Sequence, residues 1–190
     1  MADIAVIDSN LPKVFTPLPE KVIDAIPAKP GKKLVVGWFS FTCCEDSTIL
    51  FTELLNKHFD SWRRMIEFRH LKVLKTKNEL RDLDVAFIEG AISSESQAEE
   101  VRKIRANAKY VVAIGSCACT GAPSSSRNKF IDKELSERIR WYMSRFDYSD
   151  KVHRLEDVIP IDDRVNGCPM VTLVFLKTVN KYLKLFGVKS

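Results

Sequence analysis

From Lys33 onward, apolar runs of strand length alternate with stretches of helical period, and that alternation restricts the possible folds more than any other feature of the chain. Leu34-Val35-Val36-Gly37-Trp38-Phe39 reads as a buried strand over Lys33 to Phe39. Asp46 to Phe59 reads as a helix with Ile49, Leu50, Leu54 and Leu55 on one side. Arg64 to Leu74 has the alternation of a second strand and Asp84 to Ile88 is a third. Ser94 to Ala106 is a helix opened by a capping-box spacing of Ser94 and Gln97, and Tyr110 to Ile114 is a fourth strand. Lys129 to Phe146 and Met170 to Phe186 read as further helices. Strands that alternate with helices predict an α/β fold, a doubly wound parallel sheet.

Ahead of this domain, residues 1 to 32 carry Pro12, Pro17, Pro19, Pro27 and Pro30 with little periodicity. Such a segment is expected to run as an extended arm rather than pack as helix or sheet. Its scattered Val14, Phe15, Leu18, Val22, Ile23 and Ile26 favour ordering against a partner subunit over a disordered tail. The remaining residues, 33 to 190, form one domain. A chain of 190 residues that is 45% hydrophobic can bury a core without staples. The formal charge of +5 arises from mixed signs, as where Arg102, Lys103 and Arg105 are answered by Glu95, Glu99 and Glu100. That is a solvated helix face, so nucleic acid is not an expected partner. No apolar run approaches the roughly twenty residues of a membrane span, so direct insertion is not expected either.

The five cysteines carry the chemistry. Cys43 and Cys44 follow the first strand and precede Glu45-Asp46-Ser47, Cys117 and Cys119 lie in Gly115-Ser116-Cys117-Ala118-Cys119, and Cys168 lies in Gly167-Cys168-Pro169. A buried cysteine is often only a small hydrophobe, but that does not explain glycines at 115 and 167, which suggest backbone held close to something bulky. Structural disulfides are disfavoured by the odd count and by an N-terminus without an export signal, so a reduced, cytoplasmic protein is expected. Zinc prefers short C-x2-C knuckles, which are absent, and His58, His70 and His153 stand away from the thiols in sequence. Thiols at strand ends and glycine-bounded turns, where loops of an α/β sheet converge, make an iron-sulfur cluster the expected guest and electron transfer the expected task. The Glu89-Gly90 turn falls at the same edge. With neither G-x-G-x-x-G nor a Walker lysine, nucleotide binding is not expected. A stand-alone flavodoxin-like flavin protein, or a thiol switch at Cys43-Cys44, is the competing class. A flavin site would want a phosphate-binding loop where this chain has cysteine and acid.

Cys-Cys-Glu after the first strand, Phe87-Ile88-Glu89-Gly90-Ala91-Ile92, Ala113-Ile114-Gly115-Ser116-Cys117-Ala118 and Gly167-Cys168-Pro169, in that order, resemble the small subunit of NiFe hydrogenases. They also resemble its homologue in respiratory complex I, the subunit with the terminal iron-sulfur cluster. The resemblance covers about residues 33 to 186. It implies a flavodoxin-like fold holding one proximal 4Fe-4S cluster against a hydrogenase-type large subunit. That partner would carry the NiFe centre and the active site, and a further iron-sulfur or flavin subunit would take the electrons onward. Matched residue by residue, Cys44, Cys117 and Cys168 fall on ligand positions. Phe41 stands where hydrogenases have a first cysteine, so Cys43 replaces it, and tandem cysteines are the complex I arrangement. Cys119 is an alternate ligand or, preferably, a packing thiol, and Glu89 a proton relay or tuning group. Glu89-Gly90 and the long segment between Cys117 and Cys168 favour the hydrogenase branch. The alternative is a complex I-type subunit passing electrons to quinone.

Overall fold

The computed structural model describes residues 31–130 and 136–188. The proline-rich arm expected over 1 to 32 therefore lies, but for its last two residues, outside the described part. Five strands, β1 (Leu34–Ser40), β2 (Ile66–Leu71), β3 (Leu83–Glu89), β4 (Ala108–Ile114) and β5 (Asp163–Val165), form one sheet in the order β2-β1-β3-β4-β5. Every pairing is parallel. The helices are α1 (Asp46–Lys57), α2 (Phe59–Met65), α3 (Glu95–Ala106), α4 (Gly115–Thr120), α5 (Glu137–Arg145) and α6 (Thr172–Leu185).

Side chains alternate across the central strand, so β3 feeds two cores. Val85 and Phe87 join the layer of α1, α2 and α6, while Ala86 and Ile88 join the layer of α3, as does Leu83 at the start of the strand. Burial on both faces is why β3 is apolar without interruption apart from Asp84 and Glu89. In the first layer Trp38 stacks on Phe51 at 4.3 Å, and Phe175 of α6 sits edge-on to Trp38 and Phe51 and packs against Trp62 and Phe87. Helix α3 begins as its spacing predicts, with Ser94 Oγ accepting from the Gln97 backbone N–H.

Four elements differ from expectation. The second strand does not start at Arg64: Trp62 and Met65, buried three residues apart, belong to helix α2, and the strand is confined to Ile66–Leu71. Tertiary burial of that pair outweighs the local alternation. The helix expected over Lys129 to Phe146 is described only as α5, preceded by a 3-10 turn over Ser124–Lys129, with residues 131–135 outside the described part. The Gly115 to Cys119 stretch, read as a turn, is the short helix α4. Strand β5 has only three residues, two of them charged, and gains its identity by pairing with Val112–Ile114 of β4.

Tyr182 of α6 ties the last helix to that strand, donating its hydroxyl to Asp163 Oδ2. Burial, then the hydrogen bond and charge of Asp163, hold its phenol well above the ordinary tyrosine range. The folded pKa exceeds the unfolded one, about 10, so this contribution to stability is complete below about pH 10 and lost as pH rises beyond it. Tyr182→Phe should cost about 1 kcal/mol at pH 7 and flatten the alkaline decline. Urea unfolding midpoints between pH 7 and 11 check this; an unchanged alkaline slope in the variant would contradict it.

Candidate functional site

The sheet register assembles the site. Ser40 of β1 is paired with Glu89 of β3, Glu89 with Ile114 of β4, and Ile114 with Val165 of β5, so four strands end on one row. The segments bearing Cys43 and Cys44, Cys117, and Cys168 all leave from that row, at the carboxyl edge where parallel sheets bind ligands. Hydrogen bonds lock these segments together: Thr42 and Ala91 exchange backbone bonds at 3.0 and 3.1 Å, Ser116 N donates to Gly167 O at 2.7 Å, and Met170 N donates to Ser47 Oγ at 3.2 Å. Gly115, at φ +76, brings its backbone so close to α1 that a Cβ would stand 3.0 Å from Ser47 Oγ.

One narrow cleft is lined by Cys43, Cys44, Cys117, Cys168 and Glu89. All five cysteines are free. Cys44 and Cys168 are exposed at the mouth, where their sulfurs and a carboxylate oxygen of Asp46 lie within 4.8 Å of one another. Cys117 is buried with Ala91 and Val152, and half-buried Cys43 packs against that group. Burial, reinforced by the Glu89 charge, pushes the Cys43 thiol up to about 12. The Asp46 backbone N–H draws the Cys44 thiol down, but lost solvent and the Asp46 carboxylate leave it above its ordinary value. Without an ion Cys43 and Cys44 therefore keep their protons; a metal would displace them on binding. Four soft sulfur donors with no histidine in the cleft suit an iron-sulfur cluster held by thiolates.

Cys119 is not brought to the cleft. Two residues along a helix are about 200° apart, so α4 turns Cys117 toward the cleft and Cys119 into the core beneath α3, where its sulfur donates to Ala113 O at 3.6 Å. Burial pushes that thiol up to about 11. Glu89 is 3% exposed and accepts from Ser47 N at 3.1 Å and Thr48 Oγ1 at 2.6 Å, inside the first turn of α1, where backbone donors favour a carboxylate. Thr48 in turn accepts from Trp38 Nε1 at 2.9 Å, tying the carboxylate to the aromatic core.

Ser124 escaped sequence reasoning, because a serine run after proline looks like any loop. Its Oγ lies 3.2 Å from Cys117 Sγ and 3.2 Å from Thr42 O. Ser47 and Thr48, the partners of Glu89, carried no signal either beyond their place at a helix start.

A parallel α/β domain gathers four of its five cysteines at the carboxyl edge, and the family match places that domain among oxidoreductase subunits. The chain belongs to the family described as NADH ubiquinone oxidoreductase, 20 Kd subunit, whose model matches residues 43–182. It is 26% identical over 170 residues to a subunit of the F420-non-reducing hydrogenase of Methanothermobacter marburgensis, covering 81% of this chain and 54% of that protein. It is 24% identical over 134 residues to the delta subunit of sulfhydrogenase 2 of Pyrococcus furiosus, covering 70% of this chain and 55% of that one. The chain thus spans about half the length of the curated relatives it matches. In fold it is similar to a chain of an NAD+-reducing [NiFe]-hydrogenase, with a TM-score of 0.69, 19% identity, and coverage of 80% of this chain and 92% of that one. It is also similar to a chain of the actinobacterial-type NiFe-hydrogenase of Ralstonia eutropha H16, with a TM-score of 0.56, 15% identity, and coverage of 91% and 58%.

Proposed function

We propose that this chain is the electron-transfer small subunit of a NiFe hydrogenase-type complex, carrying one 4Fe-4S cluster on Cys43, Cys44, Cys117 and Cys168. The observation that carries the reading is the convergence of these four thiols, from three separate segments, on one cleft. The cluster, when bound, supplies one-electron storage. The chain's residues set the conditions for it. Cys43 and Cys117 lie on the dry inner side beside Ala91 and Val152. The Ser124 hydroxyl has the Cys117 sulfur and Thr42 O as alternative acceptors, each at 3.2 Å; when its proton is donated to the sulfur it withdraws electron density and favours the reduced state. Hydrogen chemistry belongs to a partner large subunit. Exposed Ile49 of α1, Leu173 and Val174 of α6, and Val171 just before α6, all near the exposed Cys44 and Cys168 in sequence, supply an apolar surface suited to receive it. Five free thiols fit a reducing, cytoplasmic setting.

The test is to purify the tagged chain anaerobically from its host. A co-purifying large subunit with nickel, and hydrogen-dependent dye reduction by the complex but not by the chain alone, is the expected result. A large subunit without nickel, and electron delivery to quinone, would instead establish the complex I-type reading, which the tandem Cys43-Cys44 favours. A stable monomer that oxidises hydrogen by itself would overturn both.

Glu89 in this reading tunes the cluster or relays protons rather than ligating iron, since both carboxylate oxygens are held by Ser47 and Thr48. Glu89→Gln keeps the shape and removes the charge that bears on Cys43. Iron content should persist while turnover falls or the midpoint potential rises. Unchanged potential and turnover in an intact complex would reduce Glu89 to a helix cap.

A further inference from the structure

Beside the thiol cleft, and sharing no lining residue with it, lies a groove of about 450 Å³ whose floor holds Thr42, Ser93, Ser124 and Val152. Its outer wall is α5, through Ile139 and Met143. Helix α5 buries none of its residues. Its apolar residues Ile139, Tyr142 and Met143, with Phe146 at its C-terminal cap, recur at helical spacing along one stripe. A helix that brings an apolar stripe to a groove without closing it leaves room for a partner.

Two further observations say what that partner is. The floor is one side chain thick: Val152 clusters with Cys117 in the group against which Cys43 packs, Ser124 hydrogen-bonds the Cys117 sulfur, and Thr42 directly precedes Cys43. Whatever occupies the groove therefore lies one layer from the two inner thiols. The helix above it is basic, with Arg138, Arg140 and Arg145 against Glu137. Arg138 stands over the Tyr142 ring at 5.8 Å, and Arg127 stands over the Tyr148 ring, also at 5.8 Å. Aromatic and arginine side chains of this kind are the anchors of protein interfaces, and the charge attracts an acidic surface.

We propose that this groove and α5 form the electron-exchange dock for a small acidic iron-sulfur protein. The proposal rests on the cluster reading above, and leaves the Cys44 and Cys168 edge to the large subunit. One electron passes between the cluster of this chain and an oxidised or reduced cluster of the partner; no bond forms or breaks and no proton is required. The basic face governs encounter, so its removal should slow association while leaving the cluster itself reactive.

The probe is a two-cluster bacterial-type ferredoxin, reduced and mixed in a stopped-flow cell with the oxidised, iron-loaded complex containing this chain. Reduced methyl viologen serves as a small donor that needs no dock. Wild-type protein should be reduced by ferredoxin with a second-order rate that falls steeply from low to high salt. In Arg138→Gln/Arg145→Gln the low-salt rate should drop roughly tenfold or more, with most of the salt dependence gone. Viologen reduction and iron content should not change. Because α5 buries nothing, the pair of substitutions leaves the core intact. A ferredoxin rate identical in the variant, with viologen reduction normal, overturns the dock and leaves the cluster reading standing. Failure of viologen to reduce the wild-type protein overturns both. Two further results would also overturn the dock: cosedimentation with anionic vesicles that depends on Arg138 and Arg145, or a wild-type ferredoxin rate that rises when residues 1–30 are deleted. These would mark α5 as a lipid contact or as the seat of the chain's own N-terminus.

Discussion

Serine at Cys43, Cys44, Cys117 or Cys168 should strip the protein of its cluster or convert it to a three-iron form, while Cys119→Ser keeps about four irons and four sulfides per chain. The contrast rests on where the sulfurs point. Four share the cleft, whereas Cys119 is buried on the α3 side with its sulfur directed at Ala113 O. The substitutions should not be equivalent among themselves. Cys117 is buried and Cys43 half-buried beside Ala91 and Val152, where an oxygen ligand reaches a vacated position less readily than at the mouth, so their loss should empty the site. Cys44 and Cys168 are exposed beside Asp46, so a carboxylate or water oxygen can stand in and a converted cluster can survive. Iron and sulfide analysis with electron paramagnetic resonance on anaerobic protein reads this out. Iron lost from Cys119→Ser but retained in Cys43→Ser would refute the ligand set.

Gly167→Ala is expected to remove more than half the iron without touching a thiol. Gly167 sits at φ +121, and a Cβ there would stand 2.5 Å from Pro169 O and 3.0 Å from Val171 N. Those contacts are with backbone, so the loop itself must move. Its carbonyl holds Ser116 N at 2.7 Å and so couples the Cys168 loop to the start of α4, which carries Cys117. The strain, about 1–3 kcal/mol for such a backbone, falls on a loop outside the two cores. Melting temperature should therefore shift by only a few degrees while cluster occupancy collapses. Gly187→Ala, also at positive φ but with nothing within 4 Å of the added Cβ, should retain its iron. Full occupancy in Gly167→Ala would show that the loop has slack that this geometry denies.

Much of this was legible in the residues. Buried parallel strands write themselves as apolar runs, so β1, β3 and β4 stood out, and Ser94 with Gln97 marked the start of α3. Other elements could not be read. The Trp62 and Met65 pair makes α2 helical by packing into the α1 and α6 layer, a contact with no local trace. Strand β5 exists because β4 offers it an edge, and residues such as Asp163 and Arg164 do not otherwise announce a strand.

The candidate site divides the same way. Cysteine type, flanking glycine and order along the chain determined which sequence positions offer thiols to a site, because those are properties of residues and of short backbone turns. Which thiols meet was decided only in three dimensions. Register across four strands ends Ser40, Glu89, Ile114 and Val165 on one row, and the twist of one short helix separates Cys117 from Cys119. Ser124 reached the Cys117 sulfur, and α5 came to wall a groove one side chain away, through folding of a segment whose residues carry no such instruction singly. Long-range hydrogen bonds and burial set those distances, and neither depends on neighbours in sequence.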